Sequence, residues 1–563
     1  MLNNEFAPLD YLVFVLYGII IITVGLLVSR QKKGTKRTSQ DYFLASKSLP
    51  WWAIGASLIA SNISAEQFIG MSGSGFAIGL GIASYEWMAA ITLIIVGKFF
   101  LPVFIKKKIF TMPQFLEMRY DSRVRTAMAS FWLLVYVFVN LTSILYLGAL
   151  ALNTIMGIPL LYGIIGLAVF AAVYSIYGGL KAVAWTDLIQ VVFLVGGGLI
   201  TSYIALDLLS GGEGPISGFR ILTTEAKSHF DMILTKGERL IPDGKCGLKD
   251  PYIDLPGISV LIGGMWIANL SYWGFNQYII QRGLAAKSIR EAQRGVIFAG
   301  FLKIIIPLIV VVPGIVAYTM VQQEAAGQVP IEGYSITGAM SEYSELCNET
   351  QINNDRAYPA LLALVPAGIK GLAFAALAAA IVSSLASMIN SISTIFTIDV
   401  YKKFLNKGVS EDNMVKVGRI TSFTALTIAV LTARPLLGNL DQAFQYIQEF
   451  TGFVTPGVTT IFLFGLFWKK STPNAALIAA ILTIPLSFVF KVAVPSLPFL
   501  DRMGIVFLIL CALLVVISLI ERKGNDDPKG LELKRSMFKT GMRFNIGAIL
   551  LCAIVAALYI IYW

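Results

Sequence analysis

Charge is scarce in this chain. Of its 563 residues only 14% are Asp, Glu, Lys or Arg, against 56% hydrophobic, and the mean hydropathy is +0.74. A soluble protein of this length needs more charge to cover its surface, so the composition excludes that class and implies an integral membrane protein. Histidine is almost missing. One residue, His229, is the whole complement, which excludes a histidine-built metal centre and a histidine-dependent catalytic triad, so no enzyme is expected. No GxxxxGK[ST] segment occurs, which excludes an ATP-driven pump built on that loop. Cysteine is sparse too, with four residues. Cys511 and Cys552 sit in apolar runs and read as packing residues. Cys246 and Cys347 sit in the two longest polar loops; a disulfide between them in an oxidising periplasm and two free thiols are equal alternatives. The net charge of +11 does not imply a nucleic-acid partner, because the basic residues fall in short loops between apolar runs. The opening MLNNEFAPLD has no basic n-region, so no cleavable signal peptide is expected.

What is present is long apolar runs. A bilayer core about 30 Å thick takes roughly 20 helical residues to cross, and about fourteen segments suit: 9–29, 51–76, 81–105, 124–155, 159–177, 183–209, 256–280, 291–322, 358–400, 414–437, 441–467, 473–493, 502–521 and 542–562. The 358–400 run reads as one steeply tilted helix or a helix with an extra turn outside the bilayer. Positive charge marks alternate loops. Arg30, Lys32, Lys33, Lys36, Arg37 and Lys47 fill the first, and Lys106, Lys107, Lys108, Arg119, Arg123 and Arg125 the third. Arg282, Lys287 and Arg290 follow span seven, with Lys402, Lys403 and Lys407, then Lys469 and Lys470, then Arg522, Lys523, Lys529, Lys534 and Arg535 beyond. The even loops are short or mixed in sign. The bias puts odd loops in the cytoplasm and both termini outside.

Two spans are abnormal. Span two, WWAIGASLIASNISAEQFIGMSGSGF, is interrupted by Ser61, Asn62, Ser64, Glu66 and Gln67. Span seven, GISVLIGGMWIANLSYWGFNQYIIQR, is interrupted by Asn269, Ser271, Gly274, Asn276 and Gln277. Backbone that leaves the helix inside a membrane must line a cavity or be buried in protein, and a matched pair of such helices points to a transporter's substrate site. The blander reading is two Gly-containing packing faces. The two lie five spans apart, an odd offset, so spans two to six and seven to eleven would form inverted repeats. The predicted organisation is an all-α membrane protein with an extra helix and cytoplasmic loop in 1–50, one repeat in 51–210 and an external loop in 211–255. The second repeat follows in 256–468, and extra helices in 469–563.

Charges inside spans tend to face cavities, since each costs about 2.5–3.5 kcal/mol on insertion scales. Glu86 and Lys303 are such charges, and a structural ion pair is the competing role. Sugar hydroxyls both donate and accept, so a sugar site wants converging charged and amide groups with an aromatic face. Gln67, Glu86, Asn269, Lys303 and Gln448 supply the first, and Tyr272 and Trp273 the second. In span nine, Ser383 and Ser384 offer adjacent hydroxyls to a hard cation such as Na⁺, although serines there also bond to the preceding turn. Asp187 could offset cation charge, or be an acid at a helix N-terminus.

The stretches ASLIASNISAEQFIGMSGSGF, YEWMAAITLIIVGK, VYSIYGGLKAVAWTDLIQV, YWGFNQYIIQR, AALAAAIVSSLASM and DQAFQYIQEFTG closely resemble the solute:sodium symporter family over essentially the whole chain. The resemblance implies the LeuT-like five-plus-five inverted-repeat fold with fourteen helices, in a bacterial inner membrane. It implies a sugar held by Gln67, Glu86, Asn269, Lys303 and Gln448, with Asn62, Tyr85 and Trp273 lining the site and Tyr272 as inner gate. It also implies Na⁺ bound by the carbonyls of Ala60, Ile63 and Ala380 and the hydroxyls of Ser383 and Ser384, with Asp187 in support. Ala89 stands where the family's bacterial galactose pattern has a serine, and Ser271 where it has a tyrosine; both leave the hexose open. Ala386 replaces a serine that serves a second Na⁺ in some members, favouring one Na⁺ per sugar. The expected activity is Na⁺-coupled symport of a neutral hexose such as galactose or glucose, without an organic cofactor. Symport of myo-inositol, sialic acid or proline is the first alternative, and a channel or facilitator the second.

Overall fold

The computed structural model describes residues 6–29, 48–243, 246–344, 347–437 and 443–563. The basic residues of the first loop, Arg30 to Lys47, lie outside the described residues.

The chain folds as packed helices with two small β-hairpins. A helix satisfies its own backbone hydrogen bonds, which is what hydrocarbon demands. Among the described residues, ten helices are long and apolar enough to cross a membrane, or eleven if Ala443–Gly452 and Thr455–Phe467, bent by 48°, form one span. Two segments fail that test because they are broken. One runs Trp51–Asn62, leaves the helix at Ile63 and Ser64, and resumes as the π-helix Glu66–Met71 and the helix Ser72–Ala77. The other runs Ser259–Ile262, Gly264–Leu270 and the π-helix Ser271–Phe275, leaves the helix at Asn276, and resumes as Gln277–Leu284.

Three expectations differ from what is found. The predicted spans 159–177 and 183–209 fall within one helical run, Leu160–Leu209, of 50 residues; at 1.5 Å per residue this is about 75 Å of helix, over twice the bilayer core. The predicted span 358–400 is not a single helix. Ala357–Ala363 stands alone, Gly368 turns the chain at φ 85°, and the long helix starts at Ile369 and continues as a π-helix to Leu405. Three arginines counted among loop charges are not at a surface: Arg119 and Arg282 are fully buried and Arg125 nearly so. Arg119 donates to the carbonyls of Gly465, Trp468 and Lys469, closing the end of the Thr455–Phe467 helix.

The helix Ile289–Ala325 clamps the broken segment Trp51–Ala77. A Cβ at Gly75 would stand 2.8 Å from Val311 O, and one at Gly314 2.1 Å from Ser72 O, so backbone meets backbone where only glycine fits. The same helix delivers Lys303 to the break.

On one face, the two long loops are tied by a Cys246–Cys347 disulfide, Cα–Cα 5.5 Å. Met232 N–H donates to Tyr562 O at 2.8 Å on that face. Asp10 accepts from Gly368 and Gly371 N–H, both 2.7 Å, at the start of the Ile369–Ile395 helix. The segment around Asp10 and the C-terminal Tyr562 therefore lie with the disulfide-linked loops.

Candidate functional site

A cavity of about 110 Å³ opens where the two breaks face each other. Gln67, Glu86, Asn269, Lys303, Gln448, Asn62, Tyr85, Trp273 and Tyr272 all line it, as do Ala89 and Ser271. Glu86 lies in the first turn of Ser84–Ile95 and pairs with Lys303, both sides buried. The same Lys303 Nζ donates to Asn62 Oδ1 and stands 5.0 Å from the Trp273 ring centroid, a cation–π distance. Asn62 Nδ2 donates to Tyr272 Oη at 2.8 Å, and Tyr272 shares a hydrogen bond with Tyr278. The charges are thus an ion pair, and that pair forms a wall of the cavity.

Asn269 Nδ2 donates to Met265 O at 3.2 Å. Gln448 sits on the Ala443–Gly452 helix, half-buried on the cavity wall. On the side of the linked loops, Tyr85 meets Phe444 edge-on at 5.2 Å, and Tyr85 Oη is buried without a protein partner. A buried hydroxyl with no bond costs about 1–3 kcal/mol, so it favours a ligand that supplies one. Opposite, Tyr272 and Trp273 meet at 5.2 Å and 72°.

Of the residues expected to hold a cation, Ala60, Ile63 and Ser384 lie at the same break. In an unbroken helix Ser64 N–H would bond to Ala60 O; here it donates to Gln67 Oε1 at 2.9 Å, and Ser64 Oγ does so at 3.1 Å. The Ala60 carbonyl is thereby relieved of its helical partner. Ser384 Oγ reaches across from Ile369–Ile395, 3.0 Å from Ser61 O and 3.4 Å from Ile63 O. Ser383 Oγ donates to Asp187 Oδ1 at 2.5 Å, leaving its lone pairs for a cation. Ala380 lies one turn before Ser384 inside an unbroken, buried helix, so its carbonyl is not released as that of Ala60 is. Asp187 is not at a helix N-terminus. It sits inside the 50-residue helix, fully buried, accepting from Ser57 and Ser383 and facing Arg282 at 4.0 Å.

Four further residues, none of them expected as a ligand, also line the site: Glu66, Tyr136, Asn140 and Asn276. Glu66 accepts from Ser143 Oγ at 2.6 Å. Tyr136 donates to Asn276 Oδ1 and accepts from Gln277 N–H at 3.0 Å, stitching the second break to the π-helix Tyr136–Leu141. Glu66, Asn276 and Gln277 were visible as interruptions; Tyr136, Asn140 and Ser143 carried no signal in an otherwise ordinary span. π-Helices concentrate at functional sites, and three of the five among the described residues border this cavity.

Two interrupted helices enclosing one polar chamber define a secondary transporter of the broken-helix kind. The chain belongs to the Sodium:solute symporter family, whose model matches residues 42–483. It is 52% identical to a sodium/glucose cotransporter of Vibrio parahaemolyticus, over 100% of this chain and 99% of that one. It is 33% identical to sodium/glucose cotransporter 4 of Mus musculus, over 91% of this chain and 75% of that one. A mouse sodium/myo-inositol cotransporter 2 is 32% identical over 86% and 70%. Among solved structures, a substrate-bound, outward-open Na⁺-coupled sialic acid symporter shares the fold, with TM-score 0.77 at 24% identity over 94% of this chain and 100% of that one.

Proposed function

We propose that this protein imports a neutral hexose, galactose or glucose, together with Na⁺ by alternating access. The observation that carries the reading is the buried cluster of Glu86, Lys303 and Asn62 beside Trp273 and Tyr272 in the wall of one cavity. Such a cluster offers donors and acceptors to hydroxyls and an aromatic face to the C–H side of a sugar ring. Gln67, Asn269 and Gln448 extend the polar set, and Tyr85 Oη has a bond to give. The name of the Vibrio relative supports the same solute class.

Na⁺ is cargo here, held by the carbonyls of Ala60, Ile63 and Ala380 and the hydroxyls of Ser383 and Ser384, with Asp187 behind. Na⁺ steadies the break in Trp51–Ala77 in the outward-open state, where the sugar site is assembled. Sugar closes Tyr85 and Phe444 over itself, the bundles rock, and Tyr272 turns aside to release sugar after Na⁺ departs. One cation crossing supplies about 2.3 kcal/mol per 100 mV of membrane potential, added to its concentration gradient.

In this reading the two broken segments and the shorter apolar helix Leu160–Val173 bring the spans to fourteen. Residues 51–210 and 256–468 are the inverted repeats, 1–50 and 469–563 the additions, and 211–255 an external loop. The disulfide-linked face is the outside of a bacterial inner membrane, which puts both termini outside. A carboxylate solute such as sialic acid is disfavoured by Glu86 in the wall. Myo-inositol presents a ring of hydroxyls of similar size to a hexose, so a competition panel of sugars and polyols against Na⁺-driven galactose uptake ranks the solutes. The test of the reading is uptake by proteoliposomes. Saturable accumulation above the outside concentration is expected with Na⁺; uptake unchanged when choline or K⁺ replaces Na⁺ refutes the coupling.

A further inference from the structure

Arg282 is a buried charge that the transport scheme above does not use. It projects from the short helix Gln277–Leu284 that follows the second break, with its side chain fully out of solvent. Its guanidinium donates to Ser57 Oγ at 3.3 Å, to Ser387 Oγ and to Tyr278 O. Asp187 faces it at 4.0 Å. That carboxylate also receives Ser383 Oγ at 2.5 Å and Ser57 Oγ, so one acid is shared between a fixed cation and the hydroxyl assigned to Na⁺. Ser387 bonds in turn to Ser61 at 3.0 Å, on the broken segment that carries Ala60 and Ile63. The guanidinium therefore touches both helices that frame the cation position.

We propose that Arg282 is a resident competing cation that tunes the sodium site: it neutralises Asp187 when Na⁺ is away and opposes Na⁺ when it arrives. A buried acid without a counter-charge is costly, so the empty site needs a partner for Asp187. Arginine fits this duty because it holds its charge when buried and spreads it over a planar fork. The competition keeps Na⁺ from binding so tightly that it fails to leave inside. The inference rests on the symport reading and refines its cation half.

The test is the Na⁺ concentration for half-maximal sugar uptake in proteoliposomes, in four proteins. Wild type must show Na⁺ dependence; if it does not, the symport reading fails, independently of Arg282. Arg282→Gln is expected to lower the half-maximal Na⁺ about tenfold, because like charges repel strongly where water is excluded. Arg282→Lys keeps the charge and should stay within about twofold of wild type. The single Gln variant leaves Asp187 unpaired and can fail to fold, so Arg282→Gln combined with Asp187→Asn, which removes both charges, carries the test in that event. Its half-maximal Na⁺ should lie within about threefold of wild type, attraction and repulsion being lost together. Three results overturn the proposal: an unchanged half-maximal Na⁺ in Arg282→Gln with only the maximal rate reduced, an equal fall in Arg282→Lys, or a double variant that has lost Na⁺ dependence.

Discussion

Glu86 and Lys303 admit two roles, a structural ion pair and a sugar-reading wall, and a mutant cycle separates them. Both side chains are at most 4% exposed, and Lys303 also holds Asn62. Glu86→Ala strands a buried ammonium, and breaking one side of a buried pair costs about 3–5 kcal/mol. Purified protein should accordingly melt several degrees lower. Transport should vanish, since a hydrogen bond to a charged group is worth about 1.5–3 kcal/mol, or roughly ten- to a hundredfold in affinity. Adding Lys303→Ala removes the stranded charge and should recover most of the lost stability. It should recover no transport, because the hydroxyl partners stay missing. Thermal unfolding in detergent and radiolabelled sugar uptake, read on the same four preparations, give the two axes. If the double variant regains uptake along with stability, or if Glu86→Ala keeps its sugar affinity, the pair is architecture only.

Other outcomes follow from the same geometry. Ser384→Ala removes one oxygen at the break and should raise half-maximal Na⁺ about tenfold while leaving sugar affinity at saturating Na⁺ near normal; an unchanged Na⁺ dependence counts against that hydroxyl as a ligand. His229, in the loop that carries Cys246, is held down to about 3 from 6.5 by burial and then by neighbouring Arg239. Because its folded value is depressed, the loop's docking is fully stable above pH 6.5 and weakens as pH falls from there towards 3, by up to about 1.4 kcal/mol per unit. Protection factors in 226–239, taken relative to the intrinsic exchange rate at each pH, should fall between pH 7.5 and 4.5, and His229→Phe should flatten the response; equal protection at both values speaks against it. Replacing Cys246 and Cys347 together by Ser opens a closure spanning 101 residues, for which the chain-entropy model allows at most about 4.7 kcal/mol. Lower melting with intact uptake is expected, and loss of uptake without a change in melting contradicts a purely structural link.

The broken helices were legible because amides and acids are costly in an apolar run unless they line a polar space, and Gly/Ser content marks where backbone departs from helix. Charges inside spans led to Glu86 and Lys303 by the same logic. What failed was reading position from local sequence. Residues 357–368 are apolar enough to merge with the helix after them, yet Pro366 and Gly368 end the run and Ala357–Ala363 packs separately. Arg119, Arg125 and Arg282 passed for loop charges because a sequence does not tell a solvated arginine from one whose fork is filled by carbonyls and carboxylates. Tyr136 and Ser143 entered the site only through tertiary packing, where no pattern on their own helix announces them.

The amide of Gln67 does two jobs at once. Its oxygen substitutes for a main-chain acceptor and keeps the turn at Ser64 from winding back, while the same side chain borders the cavity. A solute that draws on this amide therefore tugs on the strut that leaves the Ala60 carbonyl open. Thermodynamic reciprocity then requires that whatever factor the sugar gains from sodium, sodium gains from the sugar. The mutual tightening of the two solutes would thus pass through a single carboxamide rather than any long-range relay.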